Sequence, residues 1–257
     1  MQYLPLLVWS VWVTTIVILS VNNALPSGLM GMVDIFALSG LHFVQKSGDG
    51  ALSKVEWHPN VILANHDGQP ITDGHGRNFE VDSDFASIKH CDAVLVPGFI
   101  PNGQGHPPQT TTDKLTCSWL ATQYKKGALM CGSCSGVFAL GEAGLLNNRK
   151  CTTTWWLHDE LKQRFPKANA VWASELIDDN GIITAGGPLS WVTIALHVVQ
   201  KLAGIETAKV VADFSVVDAV PKSQNLYVPE GYQALNNPFL AKAEYTIRKA
   251  HYQTMSA

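Results

Sequence analysis

Apolar residues in this chain gather into short unbroken runs, separated by stretches where they recur every three or four positions. Runs at residues 13–21, 41–46, 61–65, 92–96, 128–131, 171–174 and 182–185 predict strands. The run at 13–21 is β-branched and nearly continuous, the pattern of a parallel strand covered on both faces. The helical period predicts helices over 29–38, 112–125, 135–145, 157–165, 189–202 and 207–214. Within 189–202, Trp191, Ile194, Ala195, Val198, Val199 and Leu202 mark a stripe facing a core. Strands alternating with helices predict βαβ units around a parallel sheet.

Gly, Pro and Asn in Pro101-Asn-Gly-Gln-Gly-His-Pro-Pro108 predict a loop just past a strand end, where open α/β sheets place binding crevices. Residues 221–238 carry no period, and a helical pattern resumes over 239–251. At the other end there is no Lys or Arg before Lys46, and residues 4–21 are almost wholly apolar. A membrane span or signal peptide competes there with a buried strand, but no basic flank exists to set an orientation. The reading favours a strand from residue 13, with residues 1–12 as a leader and no membrane partner.

Composition narrows the function classes. The chain has 257 residues, 46% apolar and 15% charged, with a net charge of −3. Four arginines and scattered lysines make no electrostatic footprint for nucleic acid. Five cysteines are an odd count in a chain too long to need disulfide staples, which points to a reducing, cytoplasmic compartment.

The richest chemistry lies in Gly132-Ser133-Cys134-Ser135-Gly136, which has the spacing of a nucleophile elbow with sulfur in place of a hydroxyl. The flanking glycines permit a strained turn and a close strand–helix approach. A thiol there faces a helix N-terminus, which favours thiolate, yet catalysis also needs a base. Cys131 and Cys134 form C-x-x-C, so thiol–disulfide exchange competes with the simpler reading of Cys131 as a buried strand residue. Cys91, Cys117 and Cys151 lack metal-ligand spacing, and Gly103, Gly105, Gly186 and Gly187 make no phosphate loop. No metal or cofactor is expected. The Trp155–Trp156 pair suits a pocket wall or a core equally, and Asp34 reads as a helix-face residue rather than a site carboxylate.

Several blocks together resemble the ThiJ/PfpI superfamily of class I glutamine amidotransferase-like domains. More narrowly, they resemble the branch fused to AraC-type helix-turn-helix domains. These blocks are Gly31-Met-Val-Asp-Ile-Phe36, Asp92-Ala-Val-Leu-Val-Pro-Gly98, the elbow with its helix through Leu146, Thr184-Ala-Gly-Gly187 with Trp191, and Ser223-Gln-Asn-Leu-Tyr227. The resemblance implies an α/β fold, a flavodoxin-like three-layer α/β/α sandwich over residues 13–220. Residues 221–257 would form a linker and terminal helix opening a DNA-binding part that this chain lacks, so no direct nucleic-acid binding is expected. Enzymatic members of the superfamily combine the elbow thiol with a His and an acid. Here Thr154 stands at the His position and Gly28 near the acid position. A threonine hydroxyl is no general base near neutral pH. His158, four residues on, competes as a substitute base, but in the first turn of the predicted 157–165 helix a solvated or capping role fits better.

The resemblance and the two missing partners imply a non-catalytic, ligand-sensing domain of a transcription regulator, dimeric and cytoplasmic. Its small-molecule effector would lie over Cys134 against Gly98, Phe99, Ser135, Thr154 and Trp155. The competing class is an enzyme, a hydrolase, hydratase or glyoxalase-like activity with Cys134 as nucleophile.

Overall fold

The computed structural model describes residues 13–40, 44–46, 52–54, 57–100, 112–218, 222–229, 232 and 238–255. Its elements run in chain order β1 (Thr15–Leu19), α1 (Pro26–Ser39), β2 (Val44–Lys46), β3 (Leu52–Lys54), β4 (Asn60–Asn65), β5 (Ile71–Thr72), β6 (Asn78–Phe79), β7 (Ser83–Asp84), β8 (Ala93–Val96), α2 (Lys114–Lys125), β9 (Leu129–Ser133), α3 (Val137–Glu142), β10 (Lys150–Cys151), α4 (His158–Arg164), β11 (Asn169–Ala170), β12 (Leu176–Asp179), β13 (Ile182–Ala185), α5 (Trp191–Ala203), α6 (Ile205–Ser215) and α7 (Pro238–Met255). Residues 1–223 and 224–257 form two compact units, and α7 lies in the second. Among the described residues no helix is long and apolar enough to cross a membrane.

Seven strands form one sheet in the order β12-β13-β9-β8-β1-β4-β7, parallel except where β12 joins. Unbroken apolar runs gave the central strands: β8 and β13 are buried at every residue, as are four of the five in β1. Helices α1, α5 and α6 pack together on one face, while α2 and α3 meet against β9 on the other. This is the flavodoxin-like α/β sandwich that the resemblance implied. In α5, Ile194, Ala195, Val198 and Val199 are fully buried, and the Trp191 indole lies on α1, where a Cβ at Gly31 would stand 2.2 Å from its ring. Burying side chains of this size contributes roughly 1.5–3 kcal/mol each.

One strand expectation is corrected. Residues 171–174 are not a strand: β11 ends at Ala170, Ala173 takes a left-handed φ of 51°, and the Ser174 carbonyl accepts a hydrogen bond from Thr152 Oγ1 (2.9 Å) instead of a ladder partner. Of the run at 41–46, only 44–46 lies within the described residues, where β2 pairs antiparallel with β3 in a separate two-stranded sheet. Conversely β12, Leu-Ile-Asp-Asp, carries no strand signal because two carboxylates end it. Its edge position satisfies them. Asp178 meets His197 Nε2 (3.0 Å) and Lys201 Nζ (3.1 Å), and Asp179 accepts from the Lys150 backbone N–H (2.7 Å). The predicted leader and the predicted loop at 101–108 lie outside the described residues.

Candidate functional site

Strand β9 delivers Cys134 to the C-terminal edge of the sheet, where a single 3₁₀ turn (Cys134–Gly136) leads into α3. Cys134 holds φ at 53°, the left-handed region that costs a non-glycine residue of order 1 kcal/mol or more. Tight packing secures this. A Cβ at Gly136 would stand 2.4 Å from the Pro97 carbonyl oxygen, and one at Gly132 3.1 Å from Val137 Cα. Thr153 Oγ1 donates to the Cys134 carbonyl (2.7 Å), tying down the strained peptide. The elbow is therefore built as its glycine spacing predicts.

Gly98, Phe99 and Ser135 gather against it. A Cβ at Gly98 would lie 3.2 Å from the Cys134 Cβ. The Ser135 hydroxyl accepts from the Phe99 N–H (2.7 Å) and donates to the Phe99 carbonyl (2.9 Å), so one buried side chain closes both backbone groups of Phe99. Thr154 is fully buried, and its Oγ1 has no hydrogen-bond partner among the described residues. Trp155 stands edge-on to Trp156, with centroids 5.0 Å apart, and is half-buried.

The Cys134 thiol is only 5% exposed. Burial pushes its pKa up to about 11, and hydrogen bonding involving Ser135 pulls the other way without prevailing. No imidazole or carboxylate among the described residues acts on it. His158 lies edge-on to Trp172 at 5.1 Å, and burial holds it below its ordinary pKa, hence neutral at pH 7. Cys131 is fully buried in β9, its pKa likewise raised by burial, and both it and Cys134 are free thiols.

The Gly28 position, near which the resemblance would place an acid, is sterically closed. A Cβ at Gly28 would lie 2.9 Å from Pro97 Cβ, so this site has no room for a carboxylate side chain without a shift of the 97–98 turn. Asp34 is exposed on α1. Among the described residues, no group of His, Cys, Asp or Glu has the arrangement to hold a metal ion. A cavity of about 320 Å³ opens beside the elbow region, at the C-terminal ends of β1 and β4. Of the residues expected to bind a ligand, only Phe99 lines it. Sequence reasoning missed this cavity because its walls come from segments far apart in the chain with no motif spacing.

A mostly parallel sheet with helices on both faces and a cysteine elbow at its carboxyl edge defines a flavodoxin-like α/β domain. The DJ-1/PfpI family pattern matches residues 50–201, and the chain belongs to that family. An isonitrile hydratase from Pseudomonas putida is 29% identical over 143 residues, 55% of this chain and 59% of that protein. The HTH-type transcriptional regulator CdhR from Pseudomonas aeruginosa is 25% identical over 169 residues, 66% of this chain and 47% of the regulator. The chain thus spans about half the length of these relatives. The solved structure of an AraC family transcriptional regulator from Pseudomonas putida superposes with a TM-score of 0.61 at 16% identity, covering 79% of this chain and 99% of that one.

Proposed function

We propose that this chain is the effector-sensing domain of an AraC-type transcription regulator, with the cysteine elbow kept as a structural joint rather than a nucleophile. The observation that carries this reading is the state of Cys134, a buried thiol raised to about 11 with no base among the described residues acting on it. A thiol attacks as its thiolate, and at pH 7 a group with a pKa near 11 supplies on the order of one part in ten thousand. Packing of Pro97 against the Gly28 position supports the same conclusion, since the fold closes the place a carboxylate would need. Relatives that are regulators support the sensing role. In this reading an effector reaches the elbow through Phe99 and the half-buried Trp155, since Gly98, Ser135 and Thr154 are buried beneath them, and the domain works as a cytoplasmic homodimer whose geometry the effector shifts.

The match to an isonitrile hydratase favours one alternative, hydration by attack of Cys134. Two measurements separate the readings. Iodoacetamide alkylation of Cys134 is expected to rise with pH to at least 9.5 without a plateau, and isonitrile turnover is expected to be indistinguishable from that of Cys134→Ala. A thiolate titrating below pH 7, together with turnover abolished by Cys134→Ala, would overturn the sensing reading.

A further inference from the structure

Thr154 carries a hydroxyl where the fold gives it nothing to bond. It is the N-cap of the 3₁₀ turn Trp155–Leu157, with extended backbone (φ −60°, ψ 143°), yet its side chain does not cap that turn. The Leu157 N–H goes instead to the Thr154 carbonyl (2.9 Å). A threonine in this place ordinarily gives its side-chain oxygen to a free N–H of the first turn. Here Oγ1 is sealed from solvent and has no partner among the described residues. The preceding residue, Thr153, is bonded to the Cys134 carbonyl (2.7 Å), which holds Thr154 beside the elbow. The following residue, Trp155, is the only one of the five expected to bind a ligand there that is not buried.

Ser133, the neighbour of Cys134 in β9, is also fully buried with an unpartnered Oγ. Side chains alternate along a strand. A Cβ at Gly132 would meet Leu140 and Val137 on the α3 side, so Ser133 faces the opposite side of the sheet, against which α5 packs. Its hydroxyl belongs to the core under the sheet. The Thr154 hydroxyl adjoins a residue that reaches solvent.

The elbow is also uncharged. Each of the other cysteines feels at least one ionised side chain: Asp92 and Lys126 at Cys91, Glu142 and Asp113 at Cys117, Asp178 at Cys131, and Asp179 at Cys151. Among the described residues none acts on Cys134, which feels only burial and hydrogen bonding involving Ser135. An ion brought there would lose its hydration with no counter-charge to replace it. An uncharged polar group loses far less, and a bond to Thr154 Oγ1 satisfies a hydroxyl that is otherwise unpaired. Trp155, edge-on to Trp156, offers aromatic surface for an apolar body.

We propose that Thr154 Oγ1 is the polar anchor of the effector site, and that the site takes a small uncharged molecule with one hydrogen-bonding group on Thr154 and an apolar body against Trp155. This inference rests on the sensing reading and names its ligand class. Thr154 opens the turn that leads into α4, so an occupant held there bears on that helix, and through Thr153 on the elbow carbonyl.

The test is calorimetric titration of the intact chain with three compounds of similar shape and different charge: isobutyramide, isobutyrate and isobutylammonium. Isobutyramide is expected to bind saturably, and both ions about tenfold more weakly or not at all. Thr154→Val is expected to weaken isobutyramide about tenfold while unfolding at higher urea than the parent chain, a pairing that a merely structural hydroxyl would not produce. Thr154→Ser keeps the hydroxyl and is expected to retain the affinity. Ser133→Ala removes the core hydroxyl and is expected to leave the affinity unchanged. No saturable binding of isobutyramide at tens of millimolar, either ion binding as tightly, or an affinity unchanged in Thr154→Val would overturn the proposal. An ion preferred over the amide would leave effector sensing standing and remove the uncharged site alone. The sensing reading itself falls on Cys134 alkylation and turnover, which none of these titrations measures.

Discussion

Two neighbouring threonines near the elbow have opposite energetics. Thr153 spends its hydroxyl on the Cys134 carbonyl, while Thr154, fully buried, has no partner for its own among the described residues. An unpaired buried hydroxyl costs about 1–3 kcal/mol, whereas a made hydrogen bond contributes about 1 kcal/mol. Thr154→Val is therefore expected to stabilise the domain by about 1 kcal/mol, and Thr153→Val to destabilise it by a similar amount. Urea unfolding midpoints check both, and a loss of stability in Thr154→Val would show that its hydroxyl is in use. From the sequence, Thr154 is legible only as the place where a base is missing. That its hydroxyl is sealed from solvent is a property of the folded molecule that no local pattern encodes.

At the level of elements, the junction between the β8 turn and the elbow depends on contacts without side chains. Gly136 passes so close to the Val96 and Pro97 carbonyls that an added methyl would sit 2.5 and 2.4 Å from their oxygens. Backbone atoms cannot yield as a flexible side chain does. Gly136→Ala is accordingly expected to cost about 3 kcal/mol, at the upper end for overpacking, with the loss read as a lower denaturation midpoint at unchanged slope. The Gly-x-Cys-x-Gly spacing announced this junction, because glycine at a strand–helix turn has few other uses. The central strands were equally legible as unbroken apolar runs. Strand β12 was not, since its Asp178 and Asp179 are satisfied by His197, Lys201 and the Lys150 N–H, partners 19 to 29 residues away in sequence.

For the whole molecule, buried ionisable groups make stability depend on pH. Burial holds His158 below its ordinary pKa, so the unfolded chain takes up a proton that the folded one refuses. Its contribution is complete above about pH 6.5 and declines as pH falls below that, by at most about 1.4 kcal/mol per pH unit. Asp178 acts further into acid. Burial raises it, but hydrogen bonds from His197 and Lys201 prevail and depress it, so its contribution is lost as pH falls below about 4. Glu175 opposes both. Burial lifts its pKa against the bonds from Ser190 and Thr193, so its contribution grows as pH falls. Thermal melts between pH 5 and 7 are expected to fall with acidification, and His158→Gln to flatten that slope. An unchanged slope in the variant would show that His158 does not stay neutral in the fold.

The residues alone determined the α/β alternation and the position of the central strands and the elbow. These are written locally, in hydrophobic period and in the few residue types that a tight turn accepts. Tertiary structure alone decided that the Gly28 position is filled by Pro97, that the Cys134 thiol is buried and raised, and that the Thr154 hydroxyl is sealed without a partner among the described residues. Each of these depends on groups distant in sequence meeting in space, and burial and charge act through distance in three dimensions rather than along the chain.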